Sequence, residues 1–319
     1  WLDLPRSVAV FGAGVIGLEL GQALSRLGVR VHLFGLGNSV GPLSDPDLVS
    51  YARKTFGDEF TTHFDADTKI TREGDEIVVR WTDRNDASDT GVERFDYLLA
   101  ATGRRPNLDR IGLENTSLAL DDRGTPDIDH QSMQAKTKAG EASSIFVAGD
   151  SAVDLPLLHE AADEGRIAGE NAARYPQVYR RLRRTGLGVV FSDPQIAIAG
   201  RGYKDLIQTK TDFACGEVSF EDQGRARVIG KNKGLLRVYG DRATGMLLGA
   251  EMIGPAAEHI GHLLAWSIES RLTVSEILQR PFYHPVLEEG LRTALRNLAA
   301  ALELGPNPPL RCIDCGPGG

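Results

Sequence analysis

The chain has 319 residues, of which 41% are hydrophobic and 25% charged, a balance typical of a globular protein with two or three domains. Its formal net charge of −8 argues against binding to nucleic acid or anionic lipid, because such surfaces need an excess of Lys and Arg. The sequence has no apolar run near the roughly 18 residues that a membrane span requires. With three cysteines and no secretory leader pattern, we expect a cytoplasmic protein without a membrane partner.

The first predicted elements form a βαβ unit. Residues 7–11 are a short apolar run, typical of a buried parallel strand, and they lead directly into Gly12-Ala13-Gly14-Val15-Ile16-Gly17. A helix is predicted from residue 15 to residue 27, and residues 29–34 form the second strand. We expect the inner face of the helix to carry the apolar side chains of Ile16, Leu20, Ala23 and Leu24.

Three glycines in this turn have separate functions in a dinucleotide-binding fold. Gly12 permits a tight turn, Gly14 lets a pyrophosphate approach the backbone, and Gly17 lets the helix pack closely on the strand. The flanking strand and helix supply the context that this motif requires, so we predict binding of NAD(H) or NADP(H). Residues 34–38 contain neither an acidic residue for the adenosine ribose nor a Lys or Arg for a 2′-phosphate, which leaves the choice between the two nucleotides open.

The remaining elements change in character along the chain. The further predicted strands lie at residues 76–81, 94–100, 144–148, 216–220, 235–239 and 246–250. The further predicted helices lie at residues 46–56, 157–173, 256–270 and 286–302. Residues 104–184 are rich in Asp and Gly loops, whereas strands precede helices beyond residue 186, as in an α+β domain.

Three more motifs complete a specific pattern. They are Ala101-Thr102-Gly103-Arg104-Arg105-Pro106-Asn107, then Phe146-Val147-Ala148-Gly149-Asp150, and finally Phe282-Tyr283-His284-Pro285-Val286-Leu287-Glu288-Glu289. Together with the glycine turn, and in the same order, they resemble the pyridine nucleotide-disulfide oxidoreductases of the dihydrolipoamide dehydrogenase type. The resemblance extends from residue 7 to about residue 304.

The resemblance implies FAD as a second cofactor. In the family, the motif that contains Gly103 marks the return of the chain to the flavin domain, and an aspartate equivalent to Asp150 holds the ribityl chain. Leu158 and His159 fall where the family passes the flavin ring. Glu19 matches a family position near the nicotinamide ring, although a Glu there also complements the helix dipole.

The last motif implies a catalytic pair. His284 would accept the proton of a dithiol and Glu289 would orient it, since a dithiol reacts as thiolate and a carboxylate stabilises an imidazolium. In the family this His reaches the active site of the partner subunit, so a homodimer is implied. The substrate would be a lipoyl-bearing or small disulfide compound, with electrons passing through FAD to NAD(P)+.

The implied architecture is α/β, with a Rossmann-like NAD(P)-binding domain, a partial FAD domain and an α+β dimerisation domain. The predicted segments are residues 1–103, 104–184 and 185–304, in that order, followed by a flexible tail at 305–319. The sequence has no counterpart of the N-terminal family region that carries the first FAD glycine loop and the redox disulfide. We therefore expect a fragment that is unable to turn over by itself.

Other interpretations remain open at this point. A soluble transhydrogenase, or a reductase of another disulfide or of a metal ion, would carry the same motifs. A non-catalytic dimeric module that binds nucleotide is a second alternative. Cys312 and Cys315 form a C-x-x-C pair in a Pro/Gly-rich tail, where neither a redox function nor a metal site is expected, and Cys215 is interpreted as a small buried residue.

Overall fold

The computed structural model describes residues 3–152 and 156–305. Its strands are β1 (Ser7–Phe11), β2 (Arg30–Phe34), β3 (Thr61–His63), β4 (Ala66–Glu73), β5 (Glu76–Asp83), β6 (Thr90–Phe95), β7 (Tyr97–Ala100), β8 (Ile128–Asp129), β9 (Gln134–Lys136), β10 (Ala142–Phe146), β11 (Leu187–Val190), β12 (Gln195–Gly200), β13 (Phe213–Ser219), β14 (Leu235–Asp241) and β15 (Leu247–Gly254). Its α-helices are α1 (Val15–Arg26), α2 (Pro46–Gly57), α3 (Leu158–Arg174), α4 (Tyr203–Gln208), α5 (Gly224–Val228), α6 (Ala257–Glu269), α7 (Val274–Leu278) and α8 (Glu288–Ala301). Short 3-10 helices lie at Leu113–Asn115 and Gly149–Ala152.

The described residues divide into two compact units, one formed by residues 3–103 with 185–305 and the other by residues 104–152 with 156–184. The first unit contains a parallel sheet of order β3-β2-β1-β7, an antiparallel sheet β4-β5-β6 and an antiparallel sheet β11-β12-β15-β14-β13. The second contains the antiparallel sheet β10-β9-β8. A Rossmann-like βαβ unit followed by an α+β region confirms the predicted α/β class.

The packing face of α1 differs from the prediction. Its buried positions are Gly17, Leu18, Gly21 and Gln22. Ile16 and Leu20 are exposed instead, and Ala23 is exposed as well. A Cβ at Gly21 would lie 3.8 Å from the side chains of Val10 and Val31, so small residues let the helix lie close to the sheet. The expectation was therefore wrong for Ile16, Leu20 and Ala23, whereas Leu24 is partly buried against the core around β1 and β2.

The strand predicted at residues 94–100 is two strands that belong to different sheets. Between β6 and β7, the Asp96 carboxylate accepts hydrogen bonds from the backbone N–H groups of Arg6, at 2.7 Å, and Ser7, at 3.1 Å. A continuous run of strand-forming residues does not show where the chain leaves one sheet for the next. Strands β3, β4, β8, β9, β11 and β12 were not predicted, and β4 has little apolar patterning because most of its residues are exposed.

Residues from the two ends of the chain share one hydrophobic core. The core cluster around β1 and β2 includes Leu18, Leu48 and Phe56 from the nucleotide-binding part. The same cluster includes side chains from the α+β part, which are Val190, Ile196, Leu235 and Ile253. This shared core explains why residues 3–103 and 185–305 form one compact unit.

Buried polar groups strengthen this junction. The Asp45 side chain, which is fully buried, caps α2 and accepts hydrogen bonds from Tyr239 Oη and Arg237 Nη1, both at 2.9 Å. The fully buried Glu251 carboxylate accepts from the backbone N–H of Ser44, at 2.7 Å, and of Tyr203, at 2.8 Å. Because buried carboxylates need such partners, these contacts hold the two parts in one arrangement.

Of the three cysteines, Cys215 lies within the described residues. Cys215 is half-buried in β13 and accepts a hydrogen bond from Arg237 Nε at 3.2 Å, so it is not the simple apolar side chain that we expected. Burial raises the pKa of its thiol, and the hydrogen bond from Arg237 offsets this only in part. Cys312 and Cys315, with the predicted tail from Pro306 onward, lie outside the described residues.

None of the helices within residues 3–152 and 156–305 is long and apolar enough to cross a membrane. In the same residues, His, Cys, Asp and Glu side chains form no group of three or more that would hold a metal ion.

Candidate functional site

The three glycines of the turn differ in how much space surrounds each of them. Gly12 has φ +109°, and a Cβ there would lie 2.2 Å from the carbonyl oxygen of Ala101. A Cβ at Gly17 would lie 1.8 Å from the carbonyl oxygen of Gly12. A Cβ at Gly14 would meet no described atom within 4 Å. Gly12 and Gly17 are therefore required for packing, whereas Gly14 leaves an open approach to the backbone, as a bound pyrophosphate needs.

The start of α1 adds a favourable electrostatic environment. Gly14 is its N-cap residue, no side chain caps the N–H groups there, and the first turn contains no acidic residue. Uncapped N–H groups and the helix dipole attract phosphate oxygens. The turn lies at the carboxyl edge of the parallel sheet, since Gly12 N donates to Phe34 O at 2.8 Å and Ala101 N donates to Phe11 O at 2.7 Å.

Glu19 lies on α1, five residues beyond its N-cap. Its Oε1 accepts a hydrogen bond from the backbone N–H of Phe191 at 2.8 Å. Phe191 follows β11, so this contact ties the helix to the α+β part of the same unit. The proximity of Glu19 to a nicotinamide ring remains a prediction.

Asp65 is a residue that sequence reasoning missed. It is buried, and its carboxylate accepts hydrogen bonds from Gly37 N at 2.8 Å and from Asn38 Nδ2 at 3.3 Å. These residues belong to the loop after β2, and residues 34–38 contain no acidic residue. Asp65 follows β3, which was not predicted, so no local signal connected it with this loop.

In the unit of residues 104–184, two predicted motifs meet. Arg104 Nη1 lies 3.3 Å from Asp150 Oδ2, and the Asp150 side chain is 51% exposed. Gly149, at φ +72°, donates its N–H to Glu164 Oε2 at 2.7 Å. Gly103, just before Arg104, has φ +99°. Asp150 is thus held by a guanidinium yet accessible for a further hydrogen-bond donor.

Leu158 and His159 begin α3. Leu158 is 89% exposed, which is unusual for a leucine at the start of a helix. His159 Nε2 lies 3.7 Å from Glu160 Oε1, and its ring is also largely exposed. Both side chains therefore present free surface within the described residues of this unit.

A buried charge cluster supports the start of α3. Glu160, Asp163 and Glu164 are buried on its inner face. Arg183 donates to Glu160 at 2.6 Å and to Glu164 at 3.0 Å. Burial opposes the charge of Arg183, but these hydrogen bonds outweigh it and raise the pKa of the guanidinium. The spacing of the three acids, at i, i+3 and i+4, was a sequence signal for one shared helix face that we did not use.

The side chains of His284 and Glu289 are in contact. His284 Nδ1 lies 3.0 Å from Glu289 Oε1 and 3.1 Å from Glu289 Oε2, and the His284 side chain is 81% exposed. The hydrogen bond with His284, followed by one from Val286 N, holds the pKa of Glu289 below its usual range. With Nδ1 engaged by a carboxylate, Nε2 is the ring nitrogen left for proton exchange.

The loop that carries His284 is anchored from both sides. Gln223 Nε2 donates to Val286 O at 2.8 Å, and the Arg292 guanidinium lies 5.8 Å from the centre of the Phe282 ring. Glu289 is in the first turn of α8, whose opposite face packs in the α+β core. The exposed ring is therefore held at a defined position by partly buried neighbours.

A separate polar cleft of about 360 Å³ lies at the far end of α1. Arg26 pairs there with Glu59 at 2.5 Å, and Lys231 pairs with Asp193 at 2.7 Å. Because α1 has 12 residues, this cleft is about 18 Å from the glycine turn. We attribute it to the junction of the two parts of this unit and not to cofactor binding.

The glycine turn, the strand order and the attached α+β region define a Rossmann-type nucleotide-binding protein. The sequence profile of the pyridine nucleotide-disulphide oxidoreductases matches residues 2–165, and that of their dimerisation domain matches residues 187–295. The chain therefore belongs to the pyridine nucleotide-disulphide oxidoreductase family, as its motifs predicted.

Curated relatives carry a consistent name. The chain is 29% identical over 296 residues to a dihydrolipoyl dehydrogenase from Haloferax volcanii, a match that covers 92% of this chain and 60% of the relative. It is 31% identical over 297 residues to a dihydrolipoyl dehydrogenase from Halobacterium salinarum, with the same coverage of 92% and 60%. The chain thus spans about 60% of the length of these relatives.

Solved structures agree with the fold. The crystal structure of LpdA from Mycobacterium tuberculosis matches with a TM-score of 0.77 and 26% identity, over 93% of this chain and 62% of that one. The HOCl-induced flavoprotein disulfide reductase RclA from Escherichia coli matches with a TM-score of 0.74 over 95% of this chain and 66% of that one, at 20% identity. At that identity the second match supports the fold only.

Proposed function

We propose that this chain is the nucleotide-binding and dimer-forming part of an enzyme of the dihydrolipoyl dehydrogenase type, which oxidises a dithiol and reduces NAD(P)+. The observation that carries the proposal is the contact of His284 Nδ1 with both oxygens of Glu289, at 3.0 and 3.1 Å, beside an exposed ring. The names of the curated relatives support the same activity.

Two nucleotide cofactors suit the residues present. The open face at Gly14 and the uncapped start of α1 suit the pyrophosphate of NAD(P). The accessible Asp150 carboxylate suits the ribityl hydroxyls of FAD, and the exposed Leu158 suits an apolar ring face. Bound FAD would supply the two-electron transfer from the dithiol to the nicotinamide nucleotide.

Side chains of the protein would accept and release the protons of the reaction. A dithiol that becomes a disulfide loses two electrons and two protons, while NAD(P)+ takes up a hydride and one proton reaches solvent. His284 Nε2 would accept the first thiol proton, which produces the nucleophilic thiolate. Glu289 would hold the ring orientation and stabilise the imidazolium that forms. The lowered pKa of Glu289 supports this function, because the carboxylate stays ionised.

We also propose that the protein forms a homodimer. The matched dimerisation domain supports it, and exposed apolar side chains on the same domain, Trp266 and Tyr283, offer surface for a second subunit. We propose that His284 acts on a dithiol held by the partner subunit, with a lipoyl-bearing or small disulfide compound as substrate. A cytoplasmic location, expected from the cysteine content, completes the proposal.

The experiment is an activity assay on the intact protein with FAD supplied. A flavin spectrum that is bleached by dihydrolipoamide, together with NAD(P)+ reduction that requires the dithiol, would support the proposal. Hydride transfer between NADPH and NAD+ without any dithiol requirement would favour a transhydrogenase instead. Nucleotide binding with neither flavin nor turnover would favour the non-catalytic module.

A further inference from the structure

The loop after β2 cannot supply the acidic group that usually binds the adenosine ribose. The position at the strand end is Gly35, where a Cβ would lie 3.0 Å from Phe64 O and 3.1 Å from the Cβ of Ala13. Those distances are shorter than ordinary van der Waals contact. A side chain at this position would therefore disturb the packing of the loop on its neighbours.

The neighbouring strand brings a carboxylate to the same place. Strands β2 and β3 are parallel and pair Phe34 with His63, so the residues after each strand leave the sheet side by side. Gly35 N donates to His63 O at 2.7 Å, and Asn38 N donates to Phe64 O at 3.2 Å. The Asp65 carboxylate contacts this loop, where it accepts a hydrogen bond from the Gly37 N–H at 2.8 Å.

The loop is also packed on the glycine turn. Gly41 N donates to Ala13 O at 2.7 Å, and Gly35 faces Ala13 as described. In Rossmann folds the adenosine ribose lies between this turn and the end of the second strand. The Asp65 carboxylate is thus next to the region that a 2′-hydroxyl or a 2′-phosphate would occupy.

The charges around Asp65 are mainly negative. Arg84 Nη1 lies 3.9 Å from Asp65, but Arg84 Nε and Nη2 both donate to Asp67, at 2.8 and 2.7 Å. Two further carboxylates come from the end of β5, where Asp83 pairs with Ala66, and from the turn that follows, which contains Asp86. Both accept from nearby backbone and hydroxyl groups. A second guanidinium, that of Arg53, lies 5.4 Å from the centre of the Phe64 ring. The carboxylates still outnumber these two cations, so a doubly charged phosphate would be repelled.

We propose that Asp65 makes this chain selective for NAD(H) over NADP(H), in place of the missing residue at the strand end. It is a positioning and specificity-determining residue: it shapes the loop through the Gly37 N–H, and its charge disfavours a 2′-phosphate. This inference rests on the proposed function, in which the glycine turn binds a nicotinamide nucleotide.

The test is direct binding of NADH and NADPH to the intact protein, followed by the fluorescence of each reduced nucleotide. We expect the wild-type protein to bind NADH more tightly. Asp65→Asn keeps the shape and one acceptor oxygen but removes the charge, so the affinity ratio should shift toward NADPH by about tenfold. Asp65→Glu, which keeps the charge, should retain the preference for NADH.

Asp75→Asn is the matched control, because it removes one carboxylate from the exposed β4–β5 turn. Strand β4 has eight residues and separates it from Asp65 by about 25 Å, so the ratio should not change. If Asp65 only shaped the loop, Asp65→Asn would weaken the binding of both nucleotides equally, and the inference would be wrong. A wild-type preference for NADPH would also overturn it.

A salt titration tests the inference on the wild-type protein, even if Asp65→Asn does not fold. Raising the ionic strength from about 0.01 M to about 1 M should reduce the preference for NADH, because the charges are then screened. A preference for NADH that increases with salt would contradict an electrostatic origin. Binding of neither nucleotide would refute the proposed function and this inference together, which distinguishes that failure from a simple lack of selectivity.

Discussion

Histidines in two regions of the same compact unit have opposite environments. His284 is exposed in the loop before α8, and a carboxylate contacts its ring. His32 and His63 lie in the nucleotide-binding part, where His32 Nδ1 and His63 Nε2 are buried and have no hydrogen-bond partner among the described residues. The residue type is the same, but the exposure and the contacts of the rings differ.

The buried pair belongs to an aromatic cluster beside the parallel sheet. The ring of His63 lies 4.6 Å from that of Trp81 and is stacked 4.9 Å from that of Phe34, and His32 meets Phe95 edge-on at 5.2 Å. Burial, with smaller contributions from His63 and Arg30, lowers the pKa of His32 to about 4. Burial also lowers the pKa of His63. Both rings therefore act as neutral packing surfaces.

The comparison shows what a proton acceptor requires beyond an imidazole. A ring that accepts a proton from substrate needs an accessible nitrogen and a group that stabilises the cation, and His284 has both. In His32 and His63 one ring nitrogen is buried without a partner, and the cost of burying a positive charge outweighs the attraction of the nearby carboxylates. Three substitutions test this contrast, from the largest expected effect to the smallest.

The largest effect is expected for His284→Gln in the intact enzyme. Glutamine cannot take up the thiol proton, so dithiol oxidation should fall by about 10²–10⁴-fold, while NADH binding stays unchanged. The measurement is steady-state dithiol oxidation together with an NADH titration. His259→Gln, another exposed histidine beside a glutamate, is the control and should be active. Full activity in His284→Gln would remove this residue from the mechanism.

Glu289→Gln should have an intermediate effect. The amide still bonds to His284 but no longer stabilises the imidazolium, so kcat should fall by about 10–100-fold and the pH profile of the rate should shift. Glu288→Gln, at the neighbouring position in the same helix turn, provides the matched control. An unchanged pH profile in Glu289→Gln, with reduced activity, would indicate a purely structural function for this carboxylate.

The smallest effect concerns stability and His32. The unfolded chain protonates this histidine below its ordinary pKa of 6.5, whereas the folded protein does so only below about 4. The stabilisation by neutral His32 is therefore complete above pH 6.5 and is lost as the pH falls toward 4, by about 1 kcal/mol at pH 5 after allowance for solvent screening. His32→Phe should flatten this dependence in urea unfolding at pH 7.5 and pH 5, and His259→Gln should not. Parallel pH profiles for wild type and His32→Phe would contradict the assignment.

Local signals in the sequence were sufficient for several features. The βαβ unit followed from an apolar run, three glycines and a helix stop, because those patterns act over a few residues. The pairing of His284 with Glu289 was implied by the resemblance of residues 282–289 to a family motif. Family membership followed from the order of four such local motifs.

Other features depended on residues that meet only after folding. The orientation of α1 could not be read from its large apolar residues, because Gly21 faces the sheet and its importance lies in the space left by a missing side chain. Arg183 meets the acids of α3 across a loop, and Asp65 reaches Gly37 through a strand that had no clear pattern. The sequence by itself determined the elements and their chemistry, because propensity, glycine turns and helix starts are short-range effects. Tertiary structure decided which charges are buried together, because that depends on strand pairing between distant segments.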